Sequence, residues 1–316
     1  MWVGVVAALL AALAWSLSFI APLVIGGYSI FDFALVEFVV SGVLSCAVLA
    51  CKSNAVRALG VRDWLVASML GLIGYVGYFL ALMGATLYAG PVIAGAFLGL
   101  VPVVLAIAGN LRQRTVAWKA LSLPLALAAV GLLLVNGSNL LRVDALHARS
   151  LAAGIPCAIL AVCLWTCFGL LNQSALDARP RLDAGLWMAL MMVGSGLGIL
   201  AFLPFGLLAG VFEIPRLGLQ WNIAAPLYLW GSGLAIVTNL GGALAWTFAS
   251  QRLPVVLAAQ LITMEPTFGT ALGLCVRRQW PTPAEITGLT LLLVGVVIAV
   301  RIFHGRRNPA LVPDPA

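Results

Sequence analysis

The chain has 316 residues, of which 63% are hydrophobic and only 9% are charged, and its mean hydropathy is +1.12. Because soluble proteins carry about 25% charged residues, this composition predicts an integral membrane protein. The net charge of +7 is spread over short loops rather than gathered on one face, which argues against a nucleic-acid partner.

Ten apolar segments follow one another along the chain, each close to the roughly 20 residues that a helix needs to span a bilayer. They lie at residues 2–22, 32–51, 64–84, 91–111, 120–138, 152–171, 184–209, 223–248, 254–275 and 284–303. The first segment lacks a basic leader region and a convincing cleavage site, so we interpret it as a retained span. The predicted fold class is an all-α integral membrane protein with ten transmembrane helices.

The basic residues of the connecting loops predict the orientation of these helices. On the side of the two termini lie Lys52, Arg57, Arg62, Arg112, Arg114, Lys119, Arg179, Arg181, Arg252, Arg301, Arg306 and Arg307. On the other side lie Arg142, Arg149, Arg216, Arg277 and Arg278. Since short cytoplasmic loops carry an excess of lysine and arginine, we expect both termini in the cytoplasm, with residues 304–316 forming a disordered tail.

The two halves of the chain resemble each other. Gly4 and Trp15 match Gly154 and Trp165 at an offset of 150 residues. At an offset of 164, the residues Gly77, Ala81, Ala85, Val92, Ala94, Pro102, Arg114 and Gly131 match Gly241, Ala245, Ala249, Val256, Ala258, Pro266, Arg278 and Gly295. This predicts two five-helix repeats, at residues 1–140 and 151–303. An odd number of spans inverts one copy relative to the other, an architecture of transporters.

Three stretches resemble the EamA-type members of the drug/metabolite transporter superfamily. They are AALAWSLSFIAPL at 11–23, LPVVLAAQLITMEPTFGTALG at 253–273 and GLTLLLVGVVIAV at 288–300. The resemblance implies a bacterial inner-membrane permease, most often an exporter of amino acids or related small metabolites. It also implies a central cavity lined by the first, third and fourth helices of each half.

Glu265 is the sharpest candidate for a functional residue, because it lies near the centre of an apolar span and directly before Pro266. An ionisable group at this depth is expensive and is usually functional. It could exchange a proton or meet the amino group of a solute, although a purely structural, hydrogen-bonded acid is the alternative. Pro266 leaves the carbonyl of Ile262 without its helix partner and predicts a bend.

The other half carries Pro102 at the equivalent position, but Val101 replaces the acid. We therefore expect two bends and an asymmetric site. Glu37 is the second intramembrane acid. It lies five residues after Asp32, about 7 Å into its span, so it either reaches the interface or takes part in the site.

Polar and aromatic residues at mid-span supply further candidates for contacts with a substrate. They are Trp15, Ser16, Tyr78, Trp165, Asn239, Trp246 and Gln260. Buried indole and phenol groups need hydrogen-bond partners, which a cavity can supply, although helix packing explains any single aromatic equally well. Asn239 and Gln260 are either hydrogen-bonded glue between helices or contacts to a substrate.

These features predict a secondary-active transporter of small organic solutes that works by alternating access. Transport would be either coupled to protons or a simple exchange of solutes down a gradient. No nucleotide-binding P-loop occurs, and no HExxH or GxSxG motif or buried histidine indicates an enzyme. The six cysteines form no CxxC pair, so we expect no metal and no cofactor.

No lysine or arginine lies deep in a span to clamp a phosphate, which favours zwitterionic, neutral or cationic solutes. A lipid-headgroup flippase or a channel is the alternative function. The expected partners are the solute, membrane lipids and protons, and the sequence leaves monomer and homodimer open.

Overall fold

The computed structural model describes residues 1–89, 91–113, 116–140, 151–278 and 280–307, and within these ranges it is all-helical. Arg114, Arg142, Arg149 and the predicted tail from residue 308 onward lie outside the described residues. The long helices are α1 (Trp2–Ser16), α2 (Ile30–Cys51), α3 (Val61–Ala89), α4 (Pro91–Gln113), α5 (Trp118–Leu140), α6 (Leu151–Asp177), α7 (Ala184–Leu208), α8 (Trp221–Ser250), α9 (Val255–Ile262), α10 (Met264–Arg277) and α11 (Pro283–Arg307). Short helical turns extend α1 to Val24, and two more occupy Ser53–Arg57 and Ile214–Leu217.

Every predicted apolar segment coincides with one of these helices or with a consecutive pair. Eight helical stretches of the described chain are long and apolar enough to cross a membrane, and two shorter apolar helices, Trp2–Ser16 and Phe97–Arg112, accompany them. The prediction of an all-helical membrane protein is therefore confirmed. The last helix continues to Arg307, three residues beyond the predicted start of the tail.

Helices that the predicted repeat would pair with one another lie side by side in the packing. The helices α2 and α7 pack against each other, and so do α5 and α11. The first helix of each half packs against the third and fourth helical segments of the other half: α6 against α3 and α4, and α1 against α8, α9 and α10.

Small residues allow α2 and α7 to approach closely. A Cβ atom placed on Gly42 would lie 3.2 Å from the Cα of Gly196, and a Cβ on Gly196 would lie 3.2 Å from the Cα of Gly42. Without side chains at these two positions, the helix backbones touch directly, as they commonly do between membrane helices.

Two π-helical segments interrupt α3 and α8, at Leu72–Gly77 and Ala235–Gly242. An offset of 164 residues, the one that aligns the two halves, places the first segment within the second. Because π-helical turns are rare and concentrate at functional sites, their occurrence at matched positions draws attention to the residues they carry.

Candidate functional site

A cavity of about 430 Å³ lies among helices of both halves, within the size range of small-molecule sites. Its described lining comprises Trp15, Ser18, Ile30, Glu37, Phe38, Gly74, Tyr75, Tyr78, Phe79, Leu82, Met83, Thr86, Ala94, Leu98, Trp165, Thr238, Asn239 and Glu265. Both intramembrane acids are in this lining, and none of these residues is basic.

Contacts between loops define the two faces of the bundle. On the N-terminal face, the Trp2 ring lies 5.5 Å from the His304 ring. Lys52 pairs there with Asp183, and Asp63 pairs with Arg179. On the opposite face, the Tyr28 hydroxyl donates to the Gly218 carbonyl at 2.7 Å, and Asp32 accepts from the Glu213 and Ile214 amides at 3.0 and 3.2 Å.

The cavity extends from mid-membrane toward the opposite face. Its lining reaches Ile30, the first residue of α2, and Thr86, three residues before the end of α3. No described lining residue comes from the half of the bundle next to the N-terminal face.

Four aromatic side chains form the aromatic floor of the cavity: Trp15, Tyr75, Trp165 and Trp246. The Trp15 ring centroid lies 5.3 Å from that of Trp165, 5.7 Å from that of Trp246 and 6.4 Å from that of Tyr75. Trp246 is 1% exposed and lies beneath the lining rather than in it. The Trp15 indole donates to the Thr238 carbonyl at 3.0 Å, which fixes the ring against the π-helical segment of α8.

Glu265 lies in the first turn of α10, directly after the helix breaks at Thr263. The break follows from Pro266, which has no N–H to offer the Ile262 carbonyl. In the first turn the missing donor costs nothing, and the partial positive charge of a helix N-terminus favours a carboxylate there.

Within the described chain, the Glu265 carboxylate makes no hydrogen bond and no ion pair. Its electrostatic neighbour is the phenol of Tyr78, whose ring centroid lies 4.9 Å from that of Trp165. The carboxylate therefore faces the cavity beside the Tyr78 phenol.

Glu37 is held by a hydrogen-bond network instead. Its Oε1 accepts from the Thr238 hydroxyl at 2.6 Å, and its carbonyl accepts from the Ser41 hydroxyl at 2.6 Å. The Asn239 amide in turn donates to the Ser41 oxygen at 3.0 Å. Glu37 is 2% exposed, so the interfacial interpretation of this residue is wrong: its side chain lies inside the bundle.

The structure brings six of the predicted site residues into the cavity lining. They are Trp15, Glu37, Tyr78, Trp165, Asn239 and Glu265. Ser16 is buried and donates to the Leu13 carbonyl within α1 at 2.6 Å, and Gln260 is buried in α9, where all eight residues are buried. Neither lines the cavity.

The two prolines behave differently. The helix breaks before Pro266, whereas α4 continues without interruption through Pro102. Val101, the counterpart of Glu265, is 4% exposed and does not line the cavity.

Sequence reasoning missed Thr238, Ser41 and Ser18. Threonine and serine are frequent in membrane helices and mark no site by themselves. The adjacent Asn239 was the only available signal for Thr238, because an amide within a span is rare.

The N-terminal face is closed by polar contacts between the halves. Arg179 pairs with Asp63 at 2.6 Å and stacks 5.5 Å over the Trp187 ring. The Lys52 ammonium, through its hydrogen bond with Asp183, lowers the pKa of that carboxyl. The Gln251 amide donates to the Leu182 carbonyl at 2.9 Å.

Comparison with known proteins agrees with this geometry. Residues 152–301 match the EamA-like transporter family. This match covers the second half of the chain. The whole chain is also similar to the inner membrane protein YtfF of Escherichia coli (strain K12), with 29% identity over 309 residues, covering 94% of this chain and 95% of YtfF. The resemblance predicted from the sequence is thereby confirmed.

A solved crystal structure shares the fold. It superposes with a TM-score of 0.73 at 17% identity and covers 95% of this chain and 97% of its own. Together with the helices of spanning length, these matches indicate a multi-spanning membrane protein that is similar to EamA-like transporters.

Proposed function

We propose that this protein is a secondary-active transporter of amino acids or related zwitterionic and cationic metabolites, working as an exporter in the bacterial inner membrane with both termini in the cytoplasm. One observation carries the proposal. The Glu265 carboxylate, which has no partner among the described residues, faces a cavity at mid-membrane that is closed toward the N-terminal face. An intramembrane acid of this kind is stable when it faces water or an ion.

Two inverted repeats of five helices account for the packing. Equivalent helices pair as α2 with α7 and α5 with α11, and the first helix of each half packs on the third and fourth segments of the other. This reciprocal arrangement is what a pseudo-twofold axis in the membrane plane produces. The matched π-helical segments of α3 and α8 support the same relation.

The chemistry of the cavity favours a solute that carries an amino group. Glu265 supplies a negative charge, and the Tyr78 and Trp165 rings supply faces that attract a cation. The described lining offers no arginine or lysine to hold a phosphate or an isolated carboxylate. The same carboxylate could bind a proton when no solute is present. Proton movement would then be coupled to solute movement.

The position of the cavity supports alternating access. It extends to the opposite face, which is the outside in the predicted orientation, and ion pairs between the halves close the N-terminal face. Rocking the halves about the Gly42–Gly196 crossing would break those pairs and open the cavity to the cytoplasm.

The test is a counterflow screen with the purified protein in proteoliposomes. Labelled amino acids, organic cations and sugar phosphates are offered in parallel, with protein-free liposomes as the control. We expect accumulation for members of the first two classes. Accumulation of sugar phosphates alone, or phospholipid translocation without any solute counterflow, would contradict the proposal.

A further inference from the structure

The closed half of the bundle contains buried polar side chains without partners. Nearly all buried polar groups in folded proteins are hydrogen-bonded, and each exception needs an explanation. Among the described residues, the unpartnered polar set, which we define as side chains with at least one unpartnered buried polar atom, comprises Ser45, Tyr75, Thr166, Asn172, Trp246, Thr247 and Gln260. Asn172 is unpartnered only at its amide nitrogen, because its oxygen accepts from the Trp187 indole at 2.9 Å. Gln260 contributes both its amide nitrogen and its amide oxygen.

All members of this set lie at the aromatic floor or between it and the N-terminal face. Tyr75 and Trp246 belong to the floor itself. Gln260 lies five residues after Val255, where α9 begins at the N-terminal face, which is a depth of about 7 Å. Thr247 lies three residues before Ser250, where α8 ends at the same face. The cavity therefore ends where this set begins.

Gln260 is the most informative member. Hydrogen-bonded glue between helices would require a partner, and its side chain has none among the described residues. A contact with a solute in the present cavity would require Gln260 to line it, and it does not. Its amide is 1% exposed, on a helix whose eight residues are all buried. A partner that arrives in another conformation accounts for these observations together.

We infer that the unpartnered polar set lines a second, collapsed passage that leads from the aromatic floor to the N-terminal face. Gln260 and Thr247 form its polar contacts for a hydrogen-bonding solute or the water that accompanies it. The passage opens when the ion pairs of the N-terminal face separate, and the Trp246 indole and Tyr75 hydroxyl then meet the same solute from its other side. This inference rests on the proposed function, because it requires alternation between two conformations.

Side-specific cysteine labelling tests the passage without relying on transport. The six native cysteines are first replaced, and Gln260→Cys and Thr247→Cys are introduced separately. Inverted membrane vesicles expose the N-terminal face to a membrane-impermeant maleimide, with and without a mixture of amino acids. Arg57→Cys, on the exposed short helix of that face, is the positive control, and Leu261→Cys, adjacent to Gln260 and equally buried, is the matched negative control.

We expect both test cysteines to react several-fold faster than Leu261→Cys. No reaction at either site, in vesicles that perform counterflow, would overturn the passage and leave the proposed function standing. Reaction without counterflow of any offered solute would support the passage and contradict the proposed solute class. If neither labelling nor counterflow is observed, both the passage and the proposed function are overturned.

A second variant separates a solute contact from a structural role. Gln260→Leu removes two unpartnered buried atoms, so we expect an unchanged or higher thermal unfolding midpoint. Transport should slow about tenfold, a typical loss for one hydrogen-bonding group. A lower midpoint with unchanged transport would assign Gln260 to the fold and overturn the inference.

Discussion

The two acids of the cavity are in opposite situations. Glu37 is enclosed in a network with Thr238 and Ser41, whereas Glu265 faces the cavity from a helix N-terminus without a protein partner. The Glu37 carboxylate has a hydrogen-bond partner within the protein. The Glu265 carboxylate is open to a partner in the cavity. The comparison teaches that two acids within the membrane-spanning part of one bundle need not have the same role.

Replacing Glu265 should have the largest effect. Glu265→Gln keeps the shape and removes the charge, so we expect transport to fall by about two orders of magnitude or more, the scale of losing one partner of a buried charge pair. Any dependence of transport on pH that comes from this carboxyl should disappear. The control is Glu285→Gln, which changes an exposed acid that caps α11 through Thr282. Full transport with an unchanged pH profile would refute the role of Glu265.

Closing the helix break should have the next largest effect. Pro266→Ala restores an N–H that can reach the Ile262 carbonyl, which would fuse α9 with α10 and remove Glu265 from a helix N-terminus. We expect transport to fall about tenfold, since an exposed helix terminus is worth up to about 2 kcal/mol to a nearby charge. Pro102→Ala is the matched control, because α4 is already continuous there. Equal effects of the two substitutions would show that the break is unimportant.

Breaking the Glu37 network should reduce stability more than transport. Thr238→Val removes the hydroxyl that donates to Glu37 and leaves a buried acceptor unpaired, at a cost of about 1–3 kcal/mol. We expect a lower unfolding midpoint in detergent. Thr290→Val is the control, because that exposed hydroxyl lies outside the cavity and donates only to the Ile286 carbonyl of its own helix at 2.8 Å. If Thr238→Val lowers transport as much as Glu265→Gln does, the distinction between the two acids fails.

The ion pair between Lys52 and Asp183 should have the smallest effect. Both side chains are more than a third exposed, so Asp183→Asn should cost less than about 1 kcal/mol of stability, and less still in high salt. Because pairing lowers the pKa of Asp183, its contribution is complete above the ordinary carboxyl value of about 4. It is lost as the pH falls through the lower folded value. Unfolding midpoints measured from pH 3 to pH 7 should therefore differ between the two proteins above about pH 4, and the difference should shrink as the pH falls further.

The sequence predicted the helices and the central acid because both are local signals. An apolar segment of spanning length is recognisable from its composition alone. Glu265, followed by Pro266, is an unusual residue within such a segment. The match between the two halves singled out Trp15 and Trp165 as candidates for the site. In the structure their ring centroids lie 5.3 Å apart.

What the sequence could not predict depends on pairing across the fold. Thr238 becomes a partner of Glu37 only because α8 packs on α2, 201 residues away along the chain. The π-helical segments leave no recognisable composition, and the opposite outcomes at Pro102 and Pro266 depend on the neighbours of each helix. Glu37 was ambiguous for the same reason, since its depth alone cannot distinguish an interface from an interior.

The direct backbone contact at Gly42 and Gly196 restricts how this protein can be altered. A Cβ atom at either position would lie 3.2 Å from the facing Cα, so any larger residue would force α2 and α7 apart at their crossing. Attempts to rigidify the protein by filling this crossing would therefore distort it, and stabilising substitutions are better placed on the lipid-facing surfaces, where no second backbone lies within reach.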